Sequence, residues 1–383
     1  MHICMIVTSY KEPGRTHTGA ELQADTQLHA LQDLGHSITV IAKKKVKESK
    51  FHEEIDGVNV YRVWPTGFRS IITAFLLWRN KEHFDIVHLH GQHVFTAVAA
   101  FICRLLNIPS VMKITIGGQV FSPTSLDRIL PKSFIPFRRF INLLSRQASA
   151  YITISKEIAD ELIHCKFLPE RIHSITNGVD MKRFHPVLAE ERHALRKKLD
   201  LPEDQLIALF CSRLIHRKGF DLLVNAWPKI WEKHKDLHLA IVGDGSAEAQ
   251  SHIQALMERT SPTAITVFGQ VPDSAPYMQA ADIFLFPSRK EGLPNALIEA
   301  MSCGCACIAS DIGGNTDLIS PEKAGLLFTS GDYHDFSHKL TELLDNRDEI
   351  GKLGATASTY MKNHYDIQVI AAKLDQLYQH ISN

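Results

Sequence analysis

Ile283-Phe284-Leu285-Phe286-Pro287-Ser288-Arg289-Lys290-Glu291-Gly292-Leu293-Pro294-Asn295 carries the clearest structural pattern in this chain. Four apolar residues in succession, closed by a proline, read as a strand buried on both faces, as parallel sheets require. The polar loop after it leads into a helix with Pro294 in its first turn, where a missing N–H costs little. Glu299 follows eight residues after Glu291, so one carboxylate lies at the helix mouth and the other along its flank.

The same strand–loop–helix unit recurs in both directions. Downstream and upstream of it, strands are expected near 207–212, 238–242, 264–268, 283–287, 305–310 and 325–329, with helices between them. Three helical segments, 333–346, 347–363 and 366–381, end the chain. Toward the amino terminus the expected strands are 2–9, 37–43, 58–64, 86–90, 110–116, 150–155 and 171–177, with helices such as 20–34, 94–106 and 138–149. This alternation predicts an α/β architecture of parallel sheets covered by helices. The rhythm breaks at Asn177-Gly178-Val179-Asp180 and in the polar stretch 186–205. Two Rossmann-like domains are therefore expected, 1–185 and 186–364, with a terminal helix 365–383 packing back on the first. Ligands of open α/β sheets sit beyond the carboxyl ends of the strands, so two such domains face each other across a deep cleft.

Forty-two basic residues balance forty-two acidic ones, which removes any global field for recruiting nucleic acid. Hydrophobic residues make up 45% and charged residues 22%, the composition of an ordinary globular chain. Seven cysteines, including Cys4 and Cys103 inside apolar runs, suit a reducing compartment and not a disulfide framework. Met1-His2-Ile3-Cys4-Met5-Ile6-Val7 reads as a first strand, not a signal peptide, and no apolar run approaches the ~20 residues of a membrane span. The expectation is a cytoplasmic protein, or at most one held on a membrane surface.

Candidate chemistry gathers at strand ends. Leu206–Cys211 runs into Ser212-Arg213-Leu214-Ile215-His216-Arg217-Lys218-Gly219, and cations there suit an anionic ligand. The plain alternative is a solvated basic loop. Glu291 and Glu299 could each accept hydrogen bonds from a pair of sugar hydroxyls, while the helix N-terminus between them offers amides to a diphosphate. A capping role for Glu291 and a salt bridge for Glu299 compete with that reading.

In the first half, Asp85-Ile86-Val87-His88-Leu89-His90-Gly91-Gln92-His93 places His88 and His90 on one face of a strand that would normally be apolar. A ligand wall, core histidines satisfied by carbonyls, and a metal site lacking any carboxylate or cysteine partner are the three readings. Thr18-Gly19-Ala20-Glu21 puts a glycine where backbone meets phosphate at a helix start. Cys303, Cys305 and Cys307 alternate but fit small buried positions better than a metal site. Gly243-x-Gly245 carries Glu248 in the third glycine position of a dinucleotide fingerprint, which argues against nicotinamide. Residues 128–146 form a basic amphipathic segment, with Arg128, Lys132, Arg138, Arg139 and Arg146 among apolar residues. It would either dock on anionic lipid or pack on its own sheet.

Arg213 with Lys218, Gly243-Asp244-Gly245, Phe268-Gly269-Gln270-Val271, Glu291 through Met301, and Ala309-Ser310-Asp311-Ile312-Gly313-Gly314 together resemble the retaining GT-B glycosyltransferases of family four. The resemblance covers most of 206–330, and it implies the GT-B fold. It further implies that Arg213 and Lys218 hold the donor diphosphate and stabilise the leaving group. Glu291 would contact the transferred sugar, with the amides of Gly292 and Leu293 beside it. Glu299 would bind the ribose hydroxyls, and the backbone near Val271 would meet the base. Family-four patterns place a donor-facing histidine at His90, whereas the His-x-His-x-x-His run of starch and glycogen synthases favours His93. Gly19 would approach phosphate, although Ala20 stands where the family usually has a second glycine, and Ser212 replaces another.

With no Asp-x-Asp at a strand end, neither metal nor cofactor is expected. Front-face displacement is favoured, the donor phosphate taking the acceptor's proton. A UDP- or GDP-sugar would be the donor, and a saccharide or lipid-linked saccharide the acceptor. The competing functions are a nucleotide-sugar epimerase of the same architecture and a non-catalytic carbohydrate-binding protein.

Overall fold

A computed structural model describes residues 1–14, 19–64, 68–115, 135–320 and 324–382. They form two compact units, Met1–Gly178 with Ile367–Asn383, and Val179–Asp366. The division falls earlier than the expected boundary at 185/186, for a local reason. Val179 N–H donates to the Tyr365 carbonyl at 2.8 Å, and the two segments form a parallel bridge at Val179 and Asp366. Arg183 then pairs with Asp273 at 2.6 Å. Residues 179–185 thus belong to the second unit. The same bridge keeps Tyr365 and Asp366 in that unit, so the chain returns to the first at Ile367 and not at 365.

The first unit runs β1 (His2–Val7), α1 (Gly19–Asp33), β2 (Ser37–Lys43), β3 (His52–Ile55), β4 (Val58–Val63), α2 (Arg69–Arg79), β5 (Ile86–His90), α3 (Val94–Leu105), β6 (Ser110–Ile114), α4 (Ile135–Ser145), β7 (Ala150–Thr153), α5 (Lys156–His164) and β8 (Ile172–Ser174). Among the described residues its sheet has the order β3-β4-β2-β1-β5-β6-β7-β8, with β3 alone antiparallel. β3 (His-Glu-Glu-Ile) is absent from the expected strands, because an edge strand with exposed charges carries no apolar run.

The second unit runs α6 (Ala189–Lys198), β9 (Leu206–Cys211), α7 (Phe220–Lys233), β10 (Leu237–Val242), α8 (Ala247–Glu258), β11 (Ile265–Gly269), α9 (Ala275–Ala280), β12 (Ile283–Phe286), α10 (Asn295–Ser302), β13 (Ala306–Ser310), α11 (Gly313–Ile319), β14 (Leu326–Phe328), α12 (Tyr333–Asp345) and α13 (Arg347–His364). Its strands are all parallel, in the order β11-β10-β9-β12-β13-β14. That is the 3-2-1-4-5-6 order of dinucleotide-binding folds, and it reverses between β9 and β12. The polar stretch 186–205 contains α6, whose apolar residues are too few to mark it. Arg196 anchors it instead, donating to Asp282 at 2.7 Å and to the Ala280 carbonyl at 2.9 Å.

The terminal helix α14 (Ile367–Ser382) buries Ile367, Ile370, Ala371, Leu374, Leu377 and Tyr378. This i, i+3, i+4, i+7 stripe completes the core that β1, β2, β4 and α1 build in the first unit. Helix α1 packs directly against it. No described helix is long and apolar enough to cross a membrane.

Candidate active site

In the second unit, the loops after β9 and β12 flank the point where strand order reverses. Both strands are apolar and buried, and Ile283 pairs with Ala208 and Phe284 with Leu209, so their carboxyl ends emerge side by side. Lys218 Nζ donates to Glu291 Oε1 at 2.5 Å, and Ser288 Oγ donates to the same oxygen at 2.6 Å. Arg217 Nη1 lies 3.7 Å from it and donates to the Lys290 carbonyl at 2.8 Å. Burial holds the Lys218 ammonium below its ordinary range, while Glu291 pulls it the other way. Arg213 stays exposed at the β9 end. The loop is clamped from outside by Arg289, whose guanidinium grips Asp221 through two bonds of 2.7 and 2.8 Å.

Two glycines allow this approach. Gly219 has φ +73°, and a Cβ on it would stand 1.9 Å from the Pro287 carbonyl oxygen, so only glycine lets the Lys218 turn touch the end of β12. Gly243 has φ +141°, and its Cβ would meet the Ser212 oxygen at 1.8 Å. The Gly243-x-Gly245 segment therefore packs against the backbone on either side of Arg213, which explains it without a nicotinamide. Leu214 N–H donates to the Asp244 carbonyl at 2.9 Å, fixing the same register.

Helix α10 starts at Asn295 with Pro294 at its cap, one step outside the helix and not within its first turn. Glu299 consequently lies one turn in. Its carboxyl is in no hydrogen bond or ion pair with the described residues. Burial pushes it up to about 7; the nearby Arg183 opposes that shift and Asp273 adds to it. The neighbouring Cys211 thiol, at the end of β9, is raised to about 12 by burial and by Glu299 itself. Val271 is half-buried just past β11, two residues before Asp273, and Gly292 and Leu293 lie in the loop between Glu291 and α10.

The Glu299 shift has a sign that can be measured. Its folded pKa lies above the ordinary 4.5, so the folded state keeps a proton that the unfolded chain loses, and stability falls as pH rises from about 4.5 through 7. Glu299→Gln should raise the stability of the second unit at pH 8 by about 1–2 kcal/mol, after discounting for partial exposure. At pH 4.5 the gain should vanish. Melting curves at the two pH values check this, and equal shifts at both would remove the buried-charge account.

A groove lined by Val187, Arg192, Arg196, Glu203 and Asp282 lies at the opposite, amino edge of the same sheet. Asp282 there accepts from Arg192, Arg196 and the Ile207 N–H, so these charges are structural.

In the first unit the order reverses between β1 and β5, and His90 ends β5. His88 and His90 do share a face, with rings stacked 4.3 Å apart. His88 Nδ1 hydrogen-bonds the Tyr378 hydroxyl of α14, and neither ring's Nε2 has a partner among the described residues. Burial, then Lys113, pushes His90 down to about 3, and His88 is lowered for the same first reason. Both rings are therefore neutral at pH 7 and act as hydrogen-bonding groups, not as cations. Lys113 pairs with His90 across β5 and β6 and is almost wholly buried, with Nζ donating, among the described residues, only to Gln27 Oε1 at 3.2 Å. His93 caps α3, and its N–H donates to Thr96 Oγ1 at 2.9 Å. Gly19 opens α1 and is exposed.

Sequence reasoning misses Ser288, the second donor to Glu291, and Lys113, although a lysine inside Val-Met-Lys-Ile is a visible anomaly. It also misses Arg183 and Asp273 beside Glu299, which only folding brings there. Arg128, Lys132 and Thr18 lie outside the described residues, as do the side chains of Arg138 and Arg139. The remainder of α4 buries Ile141 and Leu144 against Ala97 of α3. Cys303, Cys305 and Cys307 are buried free thiols, with Cys305 Sγ donating to the Met278 carbonyl at 3.2 Å.

Residues 191–360 match the family described as Glycosyl transferases group 1, and residues 17–183 match Glycosyltransferase Family 4. The chain is a glycosyltransferase. Among relatives of this transferase is an uncharacterized glycosyltransferase of Methanocaldococcus jannaschii, 26% identical over 345 residues, 85% of this chain and 84% of that one. Another is the UDP-Gal:alpha-D-GlcNAc-diphosphoundecaprenol alpha-1,3-galactosyltransferase of Escherichia coli, 26% identical over 319 residues, 81% of this chain and 79% of that one. The structure of sucrose-phosphate synthase from Thermosynechococcus elongatus matches with a TM-score of 0.78 at 20% identity, covering 99% of this chain and 98% of that one. The transferase has the GT-B fold.

Proposed function

We propose that this glycosyltransferase moves a hexose or N-acetylhexosamine from a nucleotide-sugar, UDP-linked in preference to GDP-linked, to a saccharide or lipid-linked saccharide during polysaccharide or glycolipid synthesis. Anomeric configuration is retained and no metal takes part. The observation that carries this reading is the convergence of Arg213, Lys218 and Glu291 at the switch point of the second sheet, beside the N-terminus of α10.

When the bond from C1 to the leaving phosphate oxygen breaks, negative charge accumulates on the diphosphate. Arg213 presents an exposed planar fork to it, and Lys218 a partly desolvated point charge already placed by Glu291 and Gly219. Glu291 holds hydroxyls of the transferred sugar, with the amides of Gly292 and Leu293 beside it. The free carboxyl of Glu299 accepts from the ribose hydroxyls, and the backbone near Val271 meets the base. In the first unit, Gly19 supplies backbone to a phosphate and the neutral ring of His90 a hydrogen bond to the donor sugar. The acceptor oxygen bonds to C1 from the side the diphosphate leaves, and its proton passes to the departing phosphate oxygen. The UDP preference draws on the Escherichia coli relative, whose name specifies UDP-Gal. A reducing, cytoplasmic setting suits seven free thiols.

A thermal-shift panel of UDP- and GDP-sugars tests the reading, because a ligand that binds only the folded state raises its melting point. UDP-sugars should stabilise the wild type and lose most of that effect in Arg213→Ala. Transfer should continue after exhaustive chelation and yield product of the donor's anomeric configuration. Equal stabilisation of Arg213→Ala, or a trapped covalent glycosyl-enzyme, would overturn the site assignment or the mechanism respectively.

A further inference from the structure

The first unit gathers basic groups that the acids among its described residues leave unanswered. Lys43 is the last residue of β2, Arg69 opens α2, and His93 caps α3; all three are half-buried. The Arg69 guanidinium lies 5.1 Å from the centre of the Phe95 ring, in the first turn of α3, which sets it beside His93. The acids nearby are committed elsewhere. Glu12 accepts from the N–H groups of Lys45 and Val46 at 2.7 and 3.0 Å and from Ser49 Oγ at 3.2 Å. Glu21 pairs with Lys45 at 3.0 Å. Among the described residues, no carboxylate pairs with Lys43, Arg69 or His93.

The cost of this grouping is visible in the protons. Burial lowers the affinity of His93 for a proton, and Lys43 and Arg69 lower it further. Burial, then Arg69 and Lys45, does the same to Lys43. Like charges held together with no answering charge point to a ligand that supplies it. The place agrees, since it is the carboxyl edge of a parallel sheet and the positive end of a twelve-residue helix. A phosphoryl group has oxygens enough for a planar fork, a point charge and a helix end at once, whereas a neutral saccharide would leave the cations uncompensated.

We propose that Lys43, Arg69 and the N-terminus of α3 bind a phosphoryl group carried by the acceptor, so that the acceptor is a phosphate- or diphosphate-linked saccharide. This rests on the transferase reading and specifies the substrate that the first unit accepts.

The test uses the whole chain and two probes, a decyl diphosphate-linked N-acetylglucosamine and the neutral decyl glycoside of the same sugar. Calorimetric binding should favour the diphosphate at least about tenfold in Kd, as expected for charge-assisted hydrogen bonds. Lys43→Ala and Arg69→Ala should each reduce that preference about tenfold, while Lys47→Ala, at an exposed lysine, should keep it. His93 supplies a local reading: its ring NMR signal, assigned by its loss in His93→Asn, should titrate at higher pH with the diphosphate bound. Equal affinity for both probes, no binding of either, or a preference untouched in both alanine variants would overturn the proposal. So would equally strong Lys43-dependent binding to phosphatidylglycerol vesicles alone, which would assign the patch to a membrane surface. Sugar transfer is scored separately. Transfer without preference defeats only this inference, and preference without transfer from any nucleotide-sugar defeats only the transferase mechanism.

Discussion

Lys218→Met should lower kcat about 100- to 1000-fold while leaving the fold intact. That is the loss of about 2.7–4 kcal/mol seen when one preorganised donor to developing charge is removed. Three features favour a loss at the chemical step. The ammonium is partly desolvated, so its field on the diphosphate is weakly screened. It is held on Glu291 at 2.5 Å by a turn that only Gly219 permits. Methionine has nearly the length of the lysine stem and leaves an apolar end near the Phe286 ring, over which the ammonium sits at 5.6 Å. Nor is Glu291 orphaned, since Ser288 Oγ still donates to it at 2.6 Å. Because charge on the diphosphate grows as the bond breaks, kcat should fall by more than KM rises. Steady-state kinetics alongside a urea titration separate the outcomes. An unchanged kcat with a raised KM would mean that Lys218 only binds donor.

Lys113→Met should stabilise the first unit, by about 2–4 kcal/mol at pH 7. Polar-to-apolar core changes rarely gain so much, but this ammonium is almost wholly buried with a single neutral acceptor, Gln27, among the described residues. Burial pushes it down to about 7 from 10.5, and each unit of such a shift corresponds to about 1.4 kcal/mol. A lysine with a depressed folded pKa costs stability fully below about pH 7. That cost fades as pH rises toward 10.5, because across this interval the unfolded chain binds the extra proton. The gain from methionine should therefore be largest at pH 6 and small at pH 10, and chemical denaturation at both values measures it. A loss of stability at every pH would show that the hydrogen bond to Gln27 and the packing of the lysine stem outweigh the cost of burial.

Lys113 also marks where a one-dimensional reading falls short. Parallel strands such as Leu206–Cys211 and Ile283–Phe286 announce themselves because burial on both faces demands unbroken apolar runs, and glycine and proline mark their ends. β3 and α6 lack that signature, since an edge strand is half solvated and α6 is held by the pairing of Arg196 with Asp282. In the candidate site, Arg213, Lys218, Glu291 and Glu299 are recognisable because their spacing along strand, loop and helix is local. Ser288 stands three residues before Glu291, but its role depends on a side-chain direction that spacing does not specify.

By itself the sequence determined the two-unit α/β architecture, the placing of charged groups at strand ends, and the family. The architecture follows from short-range periodicity, which the backbone imposes within a few residues, and the family from the resemblance carried by the local motifs around Arg213 and Glu291. The tertiary structure alone decided the protonation of those groups and their companions. Glu299 near 7, two neutral histidines, and two cations, Lys43 and Arg69, with no acid among the described residues all arise from desolvation and from neighbours distant along the chain. Burial is a property of the packed molecule, so no local pattern of residues encodes it.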